Sequence, residues 1–180
     1  MPAGQTPRLA SFAAYIDAFS LLTGRAVAWL VLVMMLITCI VVVLRYGFGI
    51  GSIALQESVG YMHAAVFMLG AAFTLQRQGH VRVDIFYRNF SERRKAWVNG
   101  LGSLIFLLPI SGFLLGISWD FVANAWEIRE ESPQAGGLPG IYLLKSLIPL
   151  MAITLGLQGL SDIAKATATL IKPETEGEEG

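Results

Sequence analysis

The chain has 180 residues, of which 54% are hydrophobic and only 14% are charged. A soluble domain carries about 25% charged residues, so this composition, with a mean hydropathy of +0.60, argues against a water-soluble globular protein. The formal net charge of zero gives no global field that would attract nucleic acid. The single cysteine, Cys39, lies in an apolar segment and excludes an intrachain disulfide.

Four apolar segments are long enough to cross the hydrocarbon core of a membrane, which requires about 20 residues in a helix. They cover about residues 26–45, 54–75, 96–119 and 141–161. The first and third segments have no charged residue in their interiors and no polar stripe at helical spacing, unlike the helices of a soluble bundle. The sequence therefore predicts an all-α membrane protein with four transmembrane helices. The first segment exceeds the hydrophobic region of a cleaved signal peptide, so we expect it to be retained.

The distribution of basic residues predicts the orientation of these helices. Ten of the thirteen lie in the N-terminal segment, in the connection between the second and third spans, or in the C-terminal segment. The opposite side has only Arg45, Arg129 and Lys145, and its second loop is acidic. Both termini are therefore expected to be cytoplasmic. The expected division is a cytoplasmic segment over residues 1–25, a membrane domain over 26–165 and an acidic, disordered tail over 166–180.

The connection over residues 79–90 predicts a short interfacial helix between the second and third spans. Its apolar residues have the spacing of one helix face, and basic residues flank that face. Such a helix is expected to lie in the headgroup region, where anionic lipids attract basic side chains. The residues assigned to this interfacial anchor are Val83, Phe86, Tyr87, Arg88, Phe90, Arg93, Arg94 and Lys95. Alternation at Val81, Val83 and Ile85 competes as a strand pattern.

Small residues mark helix surfaces that can approach another helix closely. Gly112 and Gly116 form a GxxxG motif on the third span, and Gly60 and Ala64 have the same spacing on the second. The partner of either surface can belong to this chain or to another protein.

Polar residues at the ends of helices predict local contacts. Ser91 is expected to cap the helix that leads into the third span, with Glu92 in its first turn. Arg45 and Glu57 lie near the outer ends of adjacent spans, where an unpaired charge is costly. We expect either an ion pair that clasps the first two spans together or a contact with a partner subunit.

Groups that could carry catalysis or bind a metal are few. His63 is the one histidine within a span, and His80 would lie about 25 Å from it along a continuous helix, too far to ligate the same haem. A haem site shared with another subunit and an ordinary interhelical hydrogen bond both stay open for His63. The sequence has no metal-ligand cluster, catalytic triad or phosphate loop, so we expect neither an enzyme nor a bound cofactor.

Several motifs resemble the DctQ-like small membrane subunit of tripartite ATP-independent periplasmic (TRAP) transporters, over about residues 20–165. The residues that carry the resemblance are Arg45-Tyr46, Glu57, Gly70-Ala71-Ala72, Arg77 and, most specifically, Gly79-His80-Val81-Arg82-Val83-Asp84. Within the family, the resemblance assigns structural roles to Arg45, Glu57, Arg77, Gly79, His80, Arg82 and Asp84. The outer stretch Glu131-Ser132-Pro133 with Gly136-Gly137-Leu138-Pro139, followed by Lys145 and Ile148-Pro149, resembles the mannitol/chloroaromatic or 2-oxoacid branch.

The resemblance implies a helper role in the bacterial inner membrane. A periplasmic binding protein would deliver an organic acid to a large permease subunit, which would hold the substrate and sodium sites and move as an elevator. This chain would brace the static part of that permease, without catalytic, substrate-binding or metal-binding residues of its own. The alternatives are a membrane-anchor subunit of a respiratory complex and a small stand-alone transporter or channel.

Overall fold

The computed structural model describes residues 5–77, 79, 87 and 89–171 of the chain. Its helices are α1 (Gln5–Gly47), α2 (Ile53–Gln76), α3 (Glu92–Gly102), a π-helical turn (Ser103–Leu107), α4 (Leu108–Glu127) and α5 (Ile141–Ile171). No strand occurs among the described residues, so the predicted all-α class is confirmed.

Four helices are long and apolar enough to cross a membrane, as predicted. Three of them are α1, α2 and α5, and the fourth runs without interruption through α3, the π-helical turn and α4. Each helix is longer than the apolar segment within it, because the hydrogen-bonded helix continues into residues of lower hydropathy at its ends. The 43 residues of α1 span about 64 Å at 1.5 Å per residue, roughly twice the thickness of the hydrocarbon core.

The N-terminal segment is continuous with the first span, and the expected cytoplasmic division at residue 25 stays a prediction. α1 is helical from Gln5 and passes through that position without a break. Ala13, Ile16 and Ser20 are buried and follow one another at helical spacing, so this stretch packs on the bundle as an amphipathic extension of the span.

The last helix, α5, lies at the centre of the bundle. It contacts α1 and α2 on one side and α3, the π-helical turn and α4 on the other, while α1 and α2 pair with each other as a hairpin. Many of the buried residues lie in the middle and the C-terminal half of α5: Ala152, Thr154, Gln158, Gly159, Ser161, Ala164 and Ala166. The position of every other span is therefore defined by its contact with α5.

The core of the bundle consists of small residues. The buried apolar residues are mostly alanines, and the largest fully buried side chains are those of Gln158 and Ser161. Large apolar side chains such as Trp29, Phe67 and Phe113 are exposed instead. This inversion is expected in lipid, where burying a large apolar side chain gains little and close helix contact depends on small residues.

The helix beginning at the predicted N-cap is confirmed. Ser91 has extended backbone angles, and its Oγ accepts a hydrogen bond of 3.4 Å from the backbone N–H of Arg94. Glu92 occupies the first turn, where the helix dipole favours a carboxylate. The π-helical turn then precedes Pro109, which lacks an N–H and would collide with the carbonyl four residues earlier in a regular α-helix. The wider turn relieves that conflict and keeps the span continuous.

At the C-terminus, α5 continues to Ile171, so residues 166–171 are helical and do not belong to the tail that was expected to be disordered. Ala166 is buried close to Gly100, where an added Cβ would lie 2.9 Å from the Ala166 Cβ. Residues 172–180 lie outside the described part of the chain.

The predicted interfacial helix between α2 and α3 stays a prediction, because most of its segment also lies outside the described residues. Those that are not described include His80, Arg82, Val83, Asp84, Phe86 and Arg88. Of that segment, Tyr87 is described, and its hydroxyl accepts a hydrogen bond of 2.8 Å from the Asn99 amide.

Candidate functional site

A hydrogen-bonded cluster, here called the Asp17 network, joins α1, α2 and α5 at one end of the bundle. The Oδ1 atom of Asp17 accepts hydrogen bonds from Gln158 Nε2 at 3.0 Å, Ser161 Oγ at 2.9 Å and Lys165 Nζ at 2.9 Å. The Lys165 ammonium also lies 2.7 Å from Asp17 Oδ2. A charged carboxylate beside apolar helices is thus neutralised by a cation from the neighbouring helix.

Further contacts extend the Asp17 network to the backbone of α1. Gln158 is completely buried, and its Oε1 accepts a hydrogen bond of 2.8 Å from Ser20 Oγ. Gln76 of α2 donates from Nε2 to the carbonyl oxygen of Asp17 at 3.1 Å. Because both polar atoms of the Gln158 amide are satisfied, this buried glutamine fixes the register between α1 and α5.

The Asp17 network was not among the contacts predicted from the sequence. Asp17 and Lys165 fall outside the apolar segments, and hydropathy gives no reason to pair residues so far apart in the chain. A usable signal was present in Gln158 and Ser161, which are polar residues near the end of an apolar span and need hydrogen-bond partners there.

A second cluster, here called the Glu57 clamp, holds the connection between α4 and α5 against α2 at the other end. One carboxylate oxygen of Glu57 accepts a hydrogen bond from Ser132 Oγ, and the other accepts one from the backbone N–H of Leu138 at 2.7 Å. The loop closes on itself through a hydrogen bond of 3.2 Å from Ser132 N to the Leu138 carbonyl oxygen. Gly137 leaves the space for this contact, since a Cβ there would lie 2.8 Å from Glu57 Oε2 and closer still to Ser132.

The predicted clasp between Arg45 and Glu57 is wrong. Arg45 is exposed and forms no ion pair within the described part of the chain, while both oxygens of Glu57 are engaged by the loop. The partner of Glu57 comes from a loop that folds back over α2, and backbone and hydroxyl donors replace the expected guanidinium. The alternative for Arg45, a contact with a partner subunit, stays a prediction.

An ion pair fastens the same loop to α5, and a hydrogen bond joins the last part of α4 to α5. The ammonium of Lys145 contacts Glu130 and lies 4.0 Å from the centre of the Phe121 ring. Trp126 donates from Nε1 to Ser146 Oγ at 2.8 Å. Lys145 therefore has a local partner for its charge near the end of the span, as a lysine close to hydrocarbon requires.

The remaining candidate residues lie on the surface of the bundle. A Cβ added at Gly60, Gly112 or Gly116 would meet no other atom within 4 Å, so these small-residue surfaces do not pack within the described chain. The Arg77 guanidinium lies 5.6 Å from the centre of the Phe73 ring, and Gly79 donates its N–H to the Thr74 carbonyl oxygen. The other candidates are half-buried or exposed: Ala64, His63, Tyr87, Phe90, Arg93, Arg94 and Lys95.

The described residues offer no grouping of three or more His, Cys, Asp or Glu side chains that could hold a metal ion. Both clusters instead consist of groups that satisfy one another and join helices and loops. Their chemistry is structural: each fixes the position of a chain segment at one end of a membrane-spanning bundle.

Comparison with known families decides the assignment. Residues 34–169 match the family described as tripartite ATP-independent periplasmic transporters, DctQ component. The chain belongs to this family. The match covers the four-helix bundle from the middle of α1 nearly to the end of α5 and includes the Glu57 clamp, whereas Asp17 lies before it. No curated protein and no solved structure matches the chain.

Membership makes the chain a small subunit of a TRAP transporter and a multi-pass protein of the inner membrane. DctQ proteins are transporter components and are not a family of enzymes. In general they function with a large permease subunit and a substrate-binding protein. The family finding supports the resemblance noted in the sequence and gives no support to the respiratory anchor.

Proposed function

We propose that this DctQ subunit is a passive brace, which holds the large permease subunit in the bilayer during sodium-coupled uptake of an organic acid delivered by a periplasmic binding protein. One observation carries the proposal: the charged groups of the Asp17 network, of the Glu57 clamp and of the Lys145–Glu130 pair lie towards the ends of the spans and have local partners. The middle of each span is uncharged. A solute anion and its sodium ions need polar groups at that depth, so we assign both to the large subunit.

The surface proposed to contact the large subunit is the exposed face of α4 around its GxxxG motif. Gly112 and Gly116 leave a shallow depression, and the neighbouring Phe113 and Ile117 are 65% and 64% exposed. A flat glycine surface beside two large apolar side chains allows a foreign helix to approach closely and gain van der Waals contact, which is the main source of helix association in lipid.

Co-purification tests this surface. Replacing both glycines with leucine (Gly112→Leu, Gly116→Leu) should fill the depression and reduce recovery of the large subunit with a tagged small subunit by at least about tenfold. The matched control is Gly60→Leu on α2, which also enters open space and should leave recovery unchanged. Full recovery with the double variant, or an equal loss with Gly60→Leu, would contradict the assignment of this face.

Anchoring at the membrane surface is the second part of the proposal. The basic residues between α2 and α3 would bind anionic lipid headgroups, at about 1 kcal/mol per residue, and oppose vertical displacement of the brace. Substituting Arg82, Arg88 and Phe86 together should lower uptake by the reconstituted transporter without changing substrate capture by the binding protein. Uptake equal to that of the unmodified transporter would argue against anchoring.

Reconstituting this chain alone in liposomes distinguishes the bracing role from that of a stand-alone transporter. We expect no sodium-dependent accumulation of any carboxylate in a panel of labelled organic acids. Accumulation by the isolated chain would contradict the proposal, whereas accumulation only after the large subunit and the binding protein are added would support it. The same panel would identify the substrate, including a test of mannitol-related and 2-oxoacid substrates.

A further inference from the structure

A polar cavity of about 390 Å³ lies between α2, α3 and α5 at the end of the bundle that carries the Asp17 network. The ammonium groups of Lys95 and Lys165 and the carboxylates of Glu92 and Asp162 line it, together with Gln76. A cavity walled by both signs of charge is complementary to a zwitterion and less so to a simple anion.

An apolar groove of about 550 Å³ continues directly from this cavity. Leu75 and Asp162 line both spaces. The groove follows α3, the π-helical turn and α4 past Val98, Gly102, Phe106 and Ile110. It therefore runs along the membrane-spanning helix, from the polar cavity towards the depth occupied by acyl chains.

Gln76 supplies an acceptor that the protein itself leaves unused. Its Nε2 is engaged by the carbonyl oxygen of Asp17, whereas its Oε1 is buried and has no hydrogen-bond partner in the described part of the chain. A buried acceptor without a partner is unfavourable, so a ligand N–H group placed in this cavity would gain a hydrogen bond at little desolvation cost.

Lys95 supplies a positive charge in the lining of the cavity. Its ammonium lies 2.9 Å from Glu92, whose side chain is 83% exposed, so this ion pair is weak and Lys95 can also contact a ligand anion. Lys165, in contrast, is held by both oxygens of Asp17 and lies 3.8 Å from the Asp162 carboxylate, so these three charges already compensate one another. The cavity thus offers a ligand one available cation, Lys95, and one unused acceptor, Gln76 Oε1.

We propose that the cavity and groove together bind a phosphoethanolamine lipid from the surrounding bilayer. The lipid phosphate contacts Lys95, its ammonium donates to Gln76 Oε1, and one acyl chain lies in the groove over Gly102 and Phe106. This defined site differs from the general attraction of anionic lipids to the basic connection. It does not depend on the bracing role or on the α4 docking surface.

Headgroup selectivity tests the assignment. Delipidated full-length protein in detergent is titrated, by native mass spectrometry, with three lipids of identical acyl chains that carry phosphoethanolamine, phosphocholine or phosphoglycerol. Phosphoethanolamine should bind about tenfold more tightly than either of the others, because choline has no N–H donor and phosphoglycerol has no cation. Equal binding of the three, or preference for phosphoglycerol, would overturn the assignment. So would equal binding of soluble glycerophosphoethanolamine, which lacks acyl chains.

Two matched pairs of variants locate the lipid. Lys95→Met should weaken phosphoethanolamine binding about tenfold, while Arg94→Met, an exposed neighbour that does not line the cavity, should not change it. Gly102→Phe should block the groove, since Gly102 lines it and a Cβ there meets no atom within 4 Å, while Leu101→Phe is the exposed control. Circular dichroism confirms that each variant keeps its helix content. Unchanged lipid binding by a folded Gly102→Phe protein would contradict the groove assignment.

Discussion

Asp17 and Glu57 are carboxylates at opposite ends of the bundle. Asp17 joins the N-terminal part of α1 to α5, and Glu57 joins the loop between α4 and α5 to α2. Asp17 gathers Gln158, Ser161 and Lys165 of α5 around the N-terminal half of α1. Glu57 receives a hydroxyl and a backbone N–H from the loop before α5. A carboxylate suits both places because it accepts several hydrogen bonds from one position, and hydrogen bonds to a charged acceptor are stronger than neutral ones.

Gln158 is the residue whose loss should destabilise the bundle most clearly. Gln158→Leu removes the acceptor for Ser20 Oγ and one donor to Asp17, and leaves a buried hydroxyl without a partner. We expect a loss of about 1–3 kcal/mol in the free energy of unfolding, read as a lower midpoint of thermal unfolding in detergent. Gln56→Leu, at an exposed position of α2, is the control and should change the midpoint little. Equal midpoints for the two variants would refute the structural role of Gln158.

Glu57 and Arg45 give a paired prediction about the loop between α4 and α5. Glu57→Ala removes both acceptors of the clamp, so backbone amides near Leu138 should exchange with deuterium faster than in the unmodified protein. Arg45→Ala should leave this exchange unchanged, because Arg45 forms no ion pair with Glu57 among the described residues and both Glu57 oxygens are held by the loop. Faster exchange in Arg45→Ala, comparable to that in Glu57→Ala, would restore the ion-pair interpretation.

At the scale of helices, hydropathy predicted which segments cross the membrane but not where the helices end. A span is defined by transfer to lipid, and this depends on composition alone, so all four could be identified from sequence. The extension of α1 to Gln5 and of α5 to Ile171 depends on contacts with other helices, such as those of Ala13 and Ala166. The Ser91 cap was predictable because its mechanism is local, and the partner of Glu57 was not because it is distant in sequence.

Helices α1 and α2 pack tightly at Gly24, where an added Cβ would lie 2.3 Å from Phe73 Cγ. Gly24→Val should therefore force the two helices apart and cost about 1–3 kcal/mol, measured as the change in the unfolding midpoint in detergent. Gly60→Val places the same side chain in open space and should stay within about 0.5 kcal/mol of the unmodified protein. Adding Phe73→Ala to Gly24→Val should recover part of the loss, and no recovery would argue against this contact.

For the whole molecule, the distribution of side-chain size follows from lipid as the solvent. Small residues occupy the contacts around α5, and large apolar side chains cover the outside, so the bundle offers the bilayer and any partner helix an apolar surface over most of its height. Polar contacts lie at the two ends, where water and headgroups are available. This distribution supports the proposed bracing role, because helices in lipid associate through close packing and charged groups at the middle of the bilayer are costly.

Orientation is the property of the whole molecule that the charge distribution predicts and that reporters inserted in loops can measure. With ten of thirteen basic residues on the side of the termini, a reporter active only after export should be active at residue 135 and inactive at residue 180. A reporter that folds only in the cytoplasm, inserted at the same two positions, should give the opposite pattern and serves as the control. The Asp17 network and the lipid cavity would then face the cytoplasmic leaflet, and the Glu57 clamp would face the periplasm, within reach of the binding protein. Activity of the export reporter at residue 180 would reverse these assignments, and the loop held by Glu57 would no longer be a candidate contact for that protein.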